Sequence, residues 1–409
     1  MEFMFFFLLV VVFGAHAEQL GRVIRAYPAS DGQVNYLNDL ADHNNLGLDF
    51  WTHPSHPDKP VDIRVAHDNH DQLTKLLKSQ AIDFIIQIPD VDVAKAMQNP
   101  AWSSRAGVFD YFRYNTLDQI VAEMGRLVQT RPNIASMFSV GTSYQGRQMN
   151  AIKLSSGAGK KTLFMNCGIH AREWITPATC MYMLNQIITK YGSDSSITAM
   201  LNKLDIVIMP VLNVDGYVYT WTSKRMWRKT RSPQGNGCYG ADPNRNFNVK
   251  WAGPGTSSNP CRDTYHGPRP FSEIETRNVA HYLYGIRSKL VGYLDIHAYS
   301  QLWMTPWGHA KDAYPPTYQE MMRVANIAVR TLYGVHRTSY RAGSVADIIY
   351  AATGGTMDWV AGTLGVTYSY GLELRDKGRY GFLLPANQIR PTGEETFAAI
   401  KAMVQEMRI

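Results

Sequence analysis

The 409-residue sequence contains no basic block with interleaved aromatics, although its formal net charge is +7. That excess is spread along the chain, which argues against a nucleic-acid partner. Internal repeats and long low-complexity tracts are also missing, so a repeat array is excluded. Only one apolar run stands out, from Phe3 to Phe13, and it falls short of the ~18 residues that a membrane span needs. It ends in Gly14-Ala15-His16-Ala17, which fits a secretory leader cut after Ala17, although Glu2 stands where a positive residue is usual. A secreted protein with no membrane partner is therefore expected. Cysteines number only four, but in an oxidising compartment they can pair. Cys238 and Cys261 flank a Gly, Asn, Pro and Ser-rich stretch that a covalent tie would steady. Cys167 and Cys180 are open between a bridge and two buried thiols, because spacing does not fix geometry.

At 45% hydrophobic residues, the chain can bury a large core in more than one domain. Residues 22–100 read as β-α-β-β-α-β, with strands near 22–27, 49–51, 61–66 and 83–88 and helices near 34–42 and 73–77. That order predicts a small open α/β sandwich. His53, His56, His67 and His70 lie within it. Prolines interrupt the first pair and polar neighbours surround the second, so solvated histidines are expected rather than a metal site. Residues 101–107 read as a connector whose Arg105 is open to a trypsin-like protease. Beyond 116, helices at 116–128, 180–191, 273–288, 318–333 and 394–407 alternate with strands at 136–140, 151–154, 162–167, 204–212, 290–297 and 366–374. Such alternation predicts an α/β domain with a mixed sheet covered on both faces. The stretch from Ser155 to Thr162 superficially suggests a phosphate loop. It has Leu154 where the first glycine belongs and Lys161 where Ser or Thr should follow, and it precedes a strand, so it is a surface turn.

The chemistry concentrates at predicted strand ends. His170-Ala171-Arg172-Glu173 follows the apolar strand 162–167, and His-x-x-Glu can offer one nitrogen and one oxygen to a single zinc. His297 ends the 290–297 strand and is the best third ligand. Three protein ligands leave a fourth position for water or substrate, as a catalytic metal requires. Asp242, Asn244 and Arg245 share one loop, and Arg228 lies in another. Glu373 ends a strand that is otherwise apolar, and buried glutamates are rare unless paired or functional.

These motifs closely resemble the zinc metallocarboxypeptidases of the pancreatic A/B type. The matching set is His170-x-x-Glu173-Trp174, Trp227-Arg228-Lys229-Thr230-Arg231, Asp242-x-Asn244-Arg245-Asn246, Tyr265-His266-Gly267 and Ile296-His297-x-Tyr299-Ser300-Gln301, followed by Ile349-Tyr350, Gly354-Gly355-x-x-Asp358-Trp359 and Glu373-Leu374-Arg375-Asp376. The resemblance covers roughly 106–409, and the N-terminal sandwich resembles the family's activation peptide. It implies a secreted zymogen: a leader over 1–17, an activation peptide and connector over 18–105 cut near Arg105, and a catalytic domain over 106–409 with a mixed eight-stranded sheet. Carried over residue by residue, it makes His170, Glu173 and His297 the ligands of one Zn2+ and Asp242 the carboxylate that orients His170. Glu373 becomes the general base and Arg228 the stabiliser of the carbonyl oxygen. Asn244 and Arg245 grip the C-terminal carboxylate of a peptide, Tyr350 closes over it, and Arg172 and Tyr299 lie further along the substrate. Met357 stands at the base of the primary pocket, where basic-specific members carry aspartate. Together with Gly371, it favours aliphatic or aromatic C-terminal residues, whereas the Cys167/Cys180 pair resembles the basic-specific branch. The alternatives are a basic-specific enzyme, a catalytically silent binding relative and a zinc hydrolase of small acyl substrates. A monomer suffices.

Overall fold

A computed structural model describes residues 21–43, 45–100 and 109–409, so the leader and Arg105 lie outside the described residues. Among the described residues the strands are β1 (Arg22–Tyr27), β2 (Asp49–Phe50), β3 (Val61–Val65), β4 (Asp83–Ile88), β5 (Ala135–Thr142), β6 (Gln148–Leu154), β7 (Thr162–Cys167), β8 (Asp205–Met209), β9 (Leu290–Ala298), β10 (Leu302–Thr305), β11 (Arg341–Ser344) and β12 (Tyr368–Leu374). The first four form an antiparallel sheet in the order β2-β3-β1-β4. Helices Asp31–His43 and His70–Ser79 close a separate small core around Ile24, Leu37, Ile63, Leu73 and Leu77. The expected β-α-β-β-α-β order is present, with an additional helix at Val91–Gln98. Its N-terminus is capped by Asp90, whose carboxylate accepts from the backbone N–H groups of Asp92 and Val93 at 2.9 and 3.0 Å.

The second sheet has eight strands, in the order β11-β10-β12-β9-β7-β8-β6-β5. Its centre, β12-β9-β7-β8, is parallel, and the flanking strands supply antiparallel pairs. Every residue of β7 and β8 is buried, as helices on both faces require. This is the mixed sheet that the alternation predicts. Residues 204–212 do not all pair, because Pro210 offers no N–H to continue the ladder and β8 stops at Met209. Two helices begin earlier than the sequence suggests, at Ile175 and Ile389 rather than at 180 and 394. Pro177 and Pro391 sit in their first turns, where a missing N–H costs nothing. Cys180 therefore lies inside a helix, and its bridge to Cys167 ties that helix to the end of β7. Cys238 and Cys261 form the other bridge. Among the described residues no helix is long and apolar enough to cross a membrane.

Candidate metal centre

Parallel strands that end together leave their C-terminal edge as a natural ligand site. Gly168 carries the chain off β7 with φ 62°, and a Cβ there would lie 3.2 Å from the Val211 Cα, so glycine suits both the turn and the close approach. Backbone bonds from Leu212 to Cys167 and from Asn213 to Gly168 pin the departing chain. The loop then presents His170 and Glu173, while β9 ends with His297 and β12 with Glu373. The register pairs Glu373 with His297 and Gly371 with Asp295, which sets the candidate base beside the third ligand.

The three ligand side chains converge. His170 Nδ1 lies 2.7 Å from Glu173 Oε1 and 3.2 Å from His297 Nδ1, and His297 Nδ1 lies 3.3 Å from Glu173 Oε2. One donor atom from each falls within 4.8 Å of the others, all three residues are buried, and no hydrogen-bonding logic favours two Nδ1 atoms face to face. Two imidazole nitrogens and a carboxylate oxygen form a donor set suited to zinc.

The far nitrogens of both imidazoles meet carboxylates, which fixes ring orientation and raises ligand basicity. His170 Nε2 lies 3.1 Å from Asp242 Oδ1, as the sequence predicts. The other Asp242 oxygen accepts from Arg228 Nε and Nη2 at 3.0 and 2.8 Å. Burial opposes ionisation of Asp242, but Arg228 and His170 outweigh it and hold the carboxyl well below its usual range. On the other side, His297 Nε2 lies 3.0 Å from Asp295 Oδ2 and 3.1 Å from the Asn244 amide nitrogen, while Asn166 donates to Asp295 Oδ1 at 2.8 Å. Sequence reading missed Asp295 and Asn166. The signal was there, since residues two apart on a strand share a face, and Asp295 precedes His297 by two. Asn213 was missed too; its amide donates to the carbonyls of Arg228 and Lys229 at 3.3 and 3.0 Å and so braces the loop that carries Arg228.

Beside the ligands, Asn244 Oδ1 accepts from Thr356 N at 2.8 Å and from its hydroxyl at 3.1 Å. Arg245 donates to the carbonyls of Gly255 and Asn244, both at 2.9 Å, and to the Tyr350 hydroxyl at 3.3 Å. None of these acceptors is a carboxylate, so a buried guanidinium faces the cleft with its charge uncompensated by direct contact. Glu373 is half-buried, and its Oε2 is shielded from solvent and lacks a hydrogen-bond partner among the described residues. Burial pushes its pKa up to about 8, with Glu173 adding to the rise and His297 and Arg228 opposing it. A cavity of about 70 Å³ joins Asn244, Arg245 and Glu373 to Met304, Met357 and Gly371. A Cβ on Gly371 would touch Met304 Cε at 3.4 Å and Met357 Sδ at 3.5 Å, so its absence leaves that wall open. Asp358 also lines the cavity and accepts from Gly308 N at 2.8 Å.

The N-terminal sandwich covers this cleft. Trp51 packs on Phe382 with ring centroids 5.2 Å apart, and Lys59 donates to the Ile348 carbonyl at 2.7 Å. Tyr299 donates to Asp62 Oδ2 at 2.6 Å, and Arg172 Nη1 meets Asp49 Oδ1 at 2.9 Å, so both predicted substrate contacts are taken by the sandwich. His56 is exposed, as expected, whereas His53, His67 and His70 are each half-buried, which corrects the solvated reading for those three. His53 packs edge-on to Tyr350 with centroids 5.2 Å apart. Burial, then Arg245 and Arg228, pull its pKa down to about 4. Its neighbours come from parts of the chain that no local pattern connects to it.

Comparison with known proteins places these features in a family context. Residues 120–399 match the zinc carboxypeptidase family, and residues 24–98 match the carboxypeptidase activation peptide. Carboxypeptidase A2 of Rattus norvegicus is 42% identical over 393 residues, covering 95% of this chain and 94% of that protein. Carboxypeptidase B of Astacus astacus is 47% identical over 297 residues, covering 72% of this chain and 97% of that protein. The crystal structure of thrombin activatable fibrinolysis inhibitor superposes with a TM-score of 0.87 at 33% identity, covering 95% of this chain and 98% of that one.

The Asp295 contact predicts that Asp295→Ala lowers zinc affinity about 10–100-fold. Titration of the full chain against a competing chelator checks this, and an unchanged dissociation constant would remove Asp295 from the site's support. His53 predicts a pH effect of definite sign. Because docking depresses its pKa, docking is at full strength above the free value of about 6.5 and weakens as pH falls towards 4. With the connector cleaved, the sandwich should bind about twentyfold more weakly at pH 5 than at pH 7. Gel filtration at the two pH values measures it, and His53→Gln should flatten the difference.

Proposed function

Because this chain belongs to the zinc carboxypeptidase family and carries that family's activation peptide ahead of its catalytic domain, we infer that it is a secreted zymogen. Its parts are a leader over 1–17, an activation segment and connector over 18–105, and a catalytic domain over 106–409. A trypsin-like protease cutting near Arg105 releases a monomeric exopeptidase with one zinc per chain. The convergence of His170, Glu173 and His297 beside the unpartnered Glu373 carboxyl carries this reading. Zinc bound there would supply a Lewis acid that polarises the scissile carbonyl and makes water a better acid.

The remaining work falls to side chains. Glu373 is the general base that takes the proton of the attacking water and delivers it to the leaving amine, a role suited to a carboxyl whose pKa burial has raised. Arg228, aimed by Asp242, compensates the negative charge that grows on the carbonyl oxygen. Arg245 and Asn244 hold the terminal carboxylate, with the guanidinium able to make two parallel bonds, and Tyr350 closes over the bound residue. A chain without a free C-terminus would leave Arg245 buried and unpaired, so cleavage removes one residue at a time from the end.

Met304, Met357 and the open wall at Gly371 support a preference for aliphatic or aromatic C-terminal residues. A specific observation favours the second reading, a basic-specific pocket. Asp295 and Asp358 also line the cavity, and Asp358 Oδ1 has no hydrogen-bond partner among the described residues. Asp295 is already engaged by Asn166 and faces His297, and burial raises the Asp358 pKa and so favours its neutral form, which leaves the thioethers to set the preference.

After tryptic activation of zinc-loaded chain, Glu373→Gln should lower kcat about 10²–10⁴-fold while leaving zinc near one per chain by atomic absorption. Full turnover in that variant would sink the mechanism. Across peptides differing only in the final residue, Phe and Leu should be released faster than Arg and Lys, and the reverse order would establish the basic-specific reading.

A further inference from the structure

The metal centre lies where β7 and β9 end, and four chain segments meet at the edge of the sheet where those strands begin. They are the turn 155–161 ahead of β7, residues 201–205 leading into β8, residues 286–290 leading into β9, and residues 405–409. Backbone bonds stitch them together: Thr162 N donates to the Lys289 carbonyl and Asp205 N to the Lys161 carbonyl, both at 2.8 Å. At ~3.3 Å per residue, the lengths of β7 and β9 set this edge ~20–30 Å from His170 and His297. The activation segment makes its contacts at the other end of the strands.

Positive charge gathers here from places far apart in the sequence, so no basic block announces it. The four segments carry Lys160, Lys161, Lys203, Arg287, Lys289 and Arg408 against Asp205 and Glu406. Asp205 is shared by Lys153 at 3.0 Å and Lys160 at 3.4 Å, and Glu406 is bound by Arg323 at 2.7 Å. Arg408 lies 3.8 Å from Glu320. Lys203 feels Glu406 only at longer range. Lys161, Arg287 and Lys289 are exposed and have no carboxylate in ion-pair contact among the described residues. Carbonyl groups aim these cations without neutralising them. Lys161 donates to the Ser288 carbonyl at 3.1 Å, Lys203 to those of Gln405 and Met407 at 2.9 and 2.8 Å, and Arg287 to that of Tyr284 at 2.8 Å. Like charges held side by side repel, and an anionic partner relieves that repulsion.

The surroundings select the kind of anion. Tyr284 and Ile409 are the exposed large apolar side chains in or beside these segments, and the Tyr284 ring lies under the Arg287 guanidinium at 4.0 Å. A membrane surface is gripped through apolar side chains as well as charge, and anionic lipids concentrate on the cytoplasmic leaflet, away from a secreted protein. A hydrated polyanion needs no apolar contact, and its sulfates accept charge-assisted hydrogen bonds from ammonium and guanidinium groups. We propose that this basic edge binds a linear sulfated polysaccharide, holding the protein with its metal centre turned away from the polymer. The inference goes beyond the carboxypeptidase reading. Because the activation segment sits at the opposite end of the strands, the surface is the same before and after cleavage near Arg105.

The test uses the full chain, zinc-loaded, before and after trypsin treatment, with a heparin decasaccharide as the probe and calorimetry as the readout. Binding should be of equal strength in both forms and should weaken steeply as salt rises. In the untreated chain Lys161→Ala/Lys289→Ala should weaken binding about tenfold at low salt. Lys75→Ala/Lys78→Ala, which removes the same charge from exposed positions of the helix His70–Ser79, should change it less than about twofold. Saturating decasaccharide should leave the turnover of a blocked dipeptide unchanged in activated enzyme, and normal turnover in the activated Lys161→Ala/Lys289→Ala chain shows that it folds. Equal weakening by the two double variants overturns the inference, because net charge alone then accounts for binding. Competitive inhibition of dipeptide turnover by the decasaccharide also overturns it, by placing the sulfates at the catalytic cleft. Tighter binding to phosphatidylserine vesicles than to the decasaccharide assigns the edge to a membrane and overturns it as well. A chain that binds the decasaccharide as expected but cleaves no dipeptide supports this inference and overturns only the carboxypeptidase reading.

Discussion

Asp242, fully buried, holds one oxygen against the far nitrogen of His170 and the other against two nitrogens of Arg228. An ionised carboxylate in the interior costs several kcal/mol unless its partners stay in place. That cost acts as a restraint, because any motion that separates His170 from Arg228 exposes an uncompensated charge. His170 and Arg228 are thus set relative to one another before any substrate arrives. Asp295 repeats the device on the other ligand, with Asn166 bracing it from behind. Preorganisation of this kind lets fixed dipoles and charges act without reorganising during the reaction.

The same abundance of positive charge explains how the activation segment fits. A cleft built around Arg172, Arg228 and Arg245 attracts carboxylates and repels cations. The segment meets it with Asp49 on Arg172 and with a neutral histidine near Arg228 and Arg245. Trp51 adds an apolar anchor on Phe382, and Asp62 is shared between Arg25 and Tyr299. The segment is thus held over the cleft by charge and shape complementarity.

Much of the site was legible because its residues violate local expectation. A glutamate at the end of an apolar strand, a histidine at the end of another and His-x-x-Glu after a third each invite a functional reading, and register brings all three together. Asp295 violates the same expectation on β9 and was passed over in favour of its neighbour His297. The helices that start at Ile175 and Ile389 begin earlier than expected because proline in a first turn does no harm. His53 could not be found from its surroundings in sequence, where prolines and polar residues suggest a solvated loop. Its partners Arg228, Arg245 and Tyr350 lie far along the chain.

Residue chemistry and local periodicity were enough to determine the α/β class, the two-part organisation and the candidate metal-binding donors, because each depends on side-chain type and short-range spacing. Tertiary structure alone decided which carboxylate steadies His297, where the activation segment places His53 and Asp49, and which basic side chains share a cleft. Those facts depend on distances between segments that the sequence separates by tens to hundreds of residues, and only the packing of β7, β9 and β12 with the loops at their ends brings them within reach.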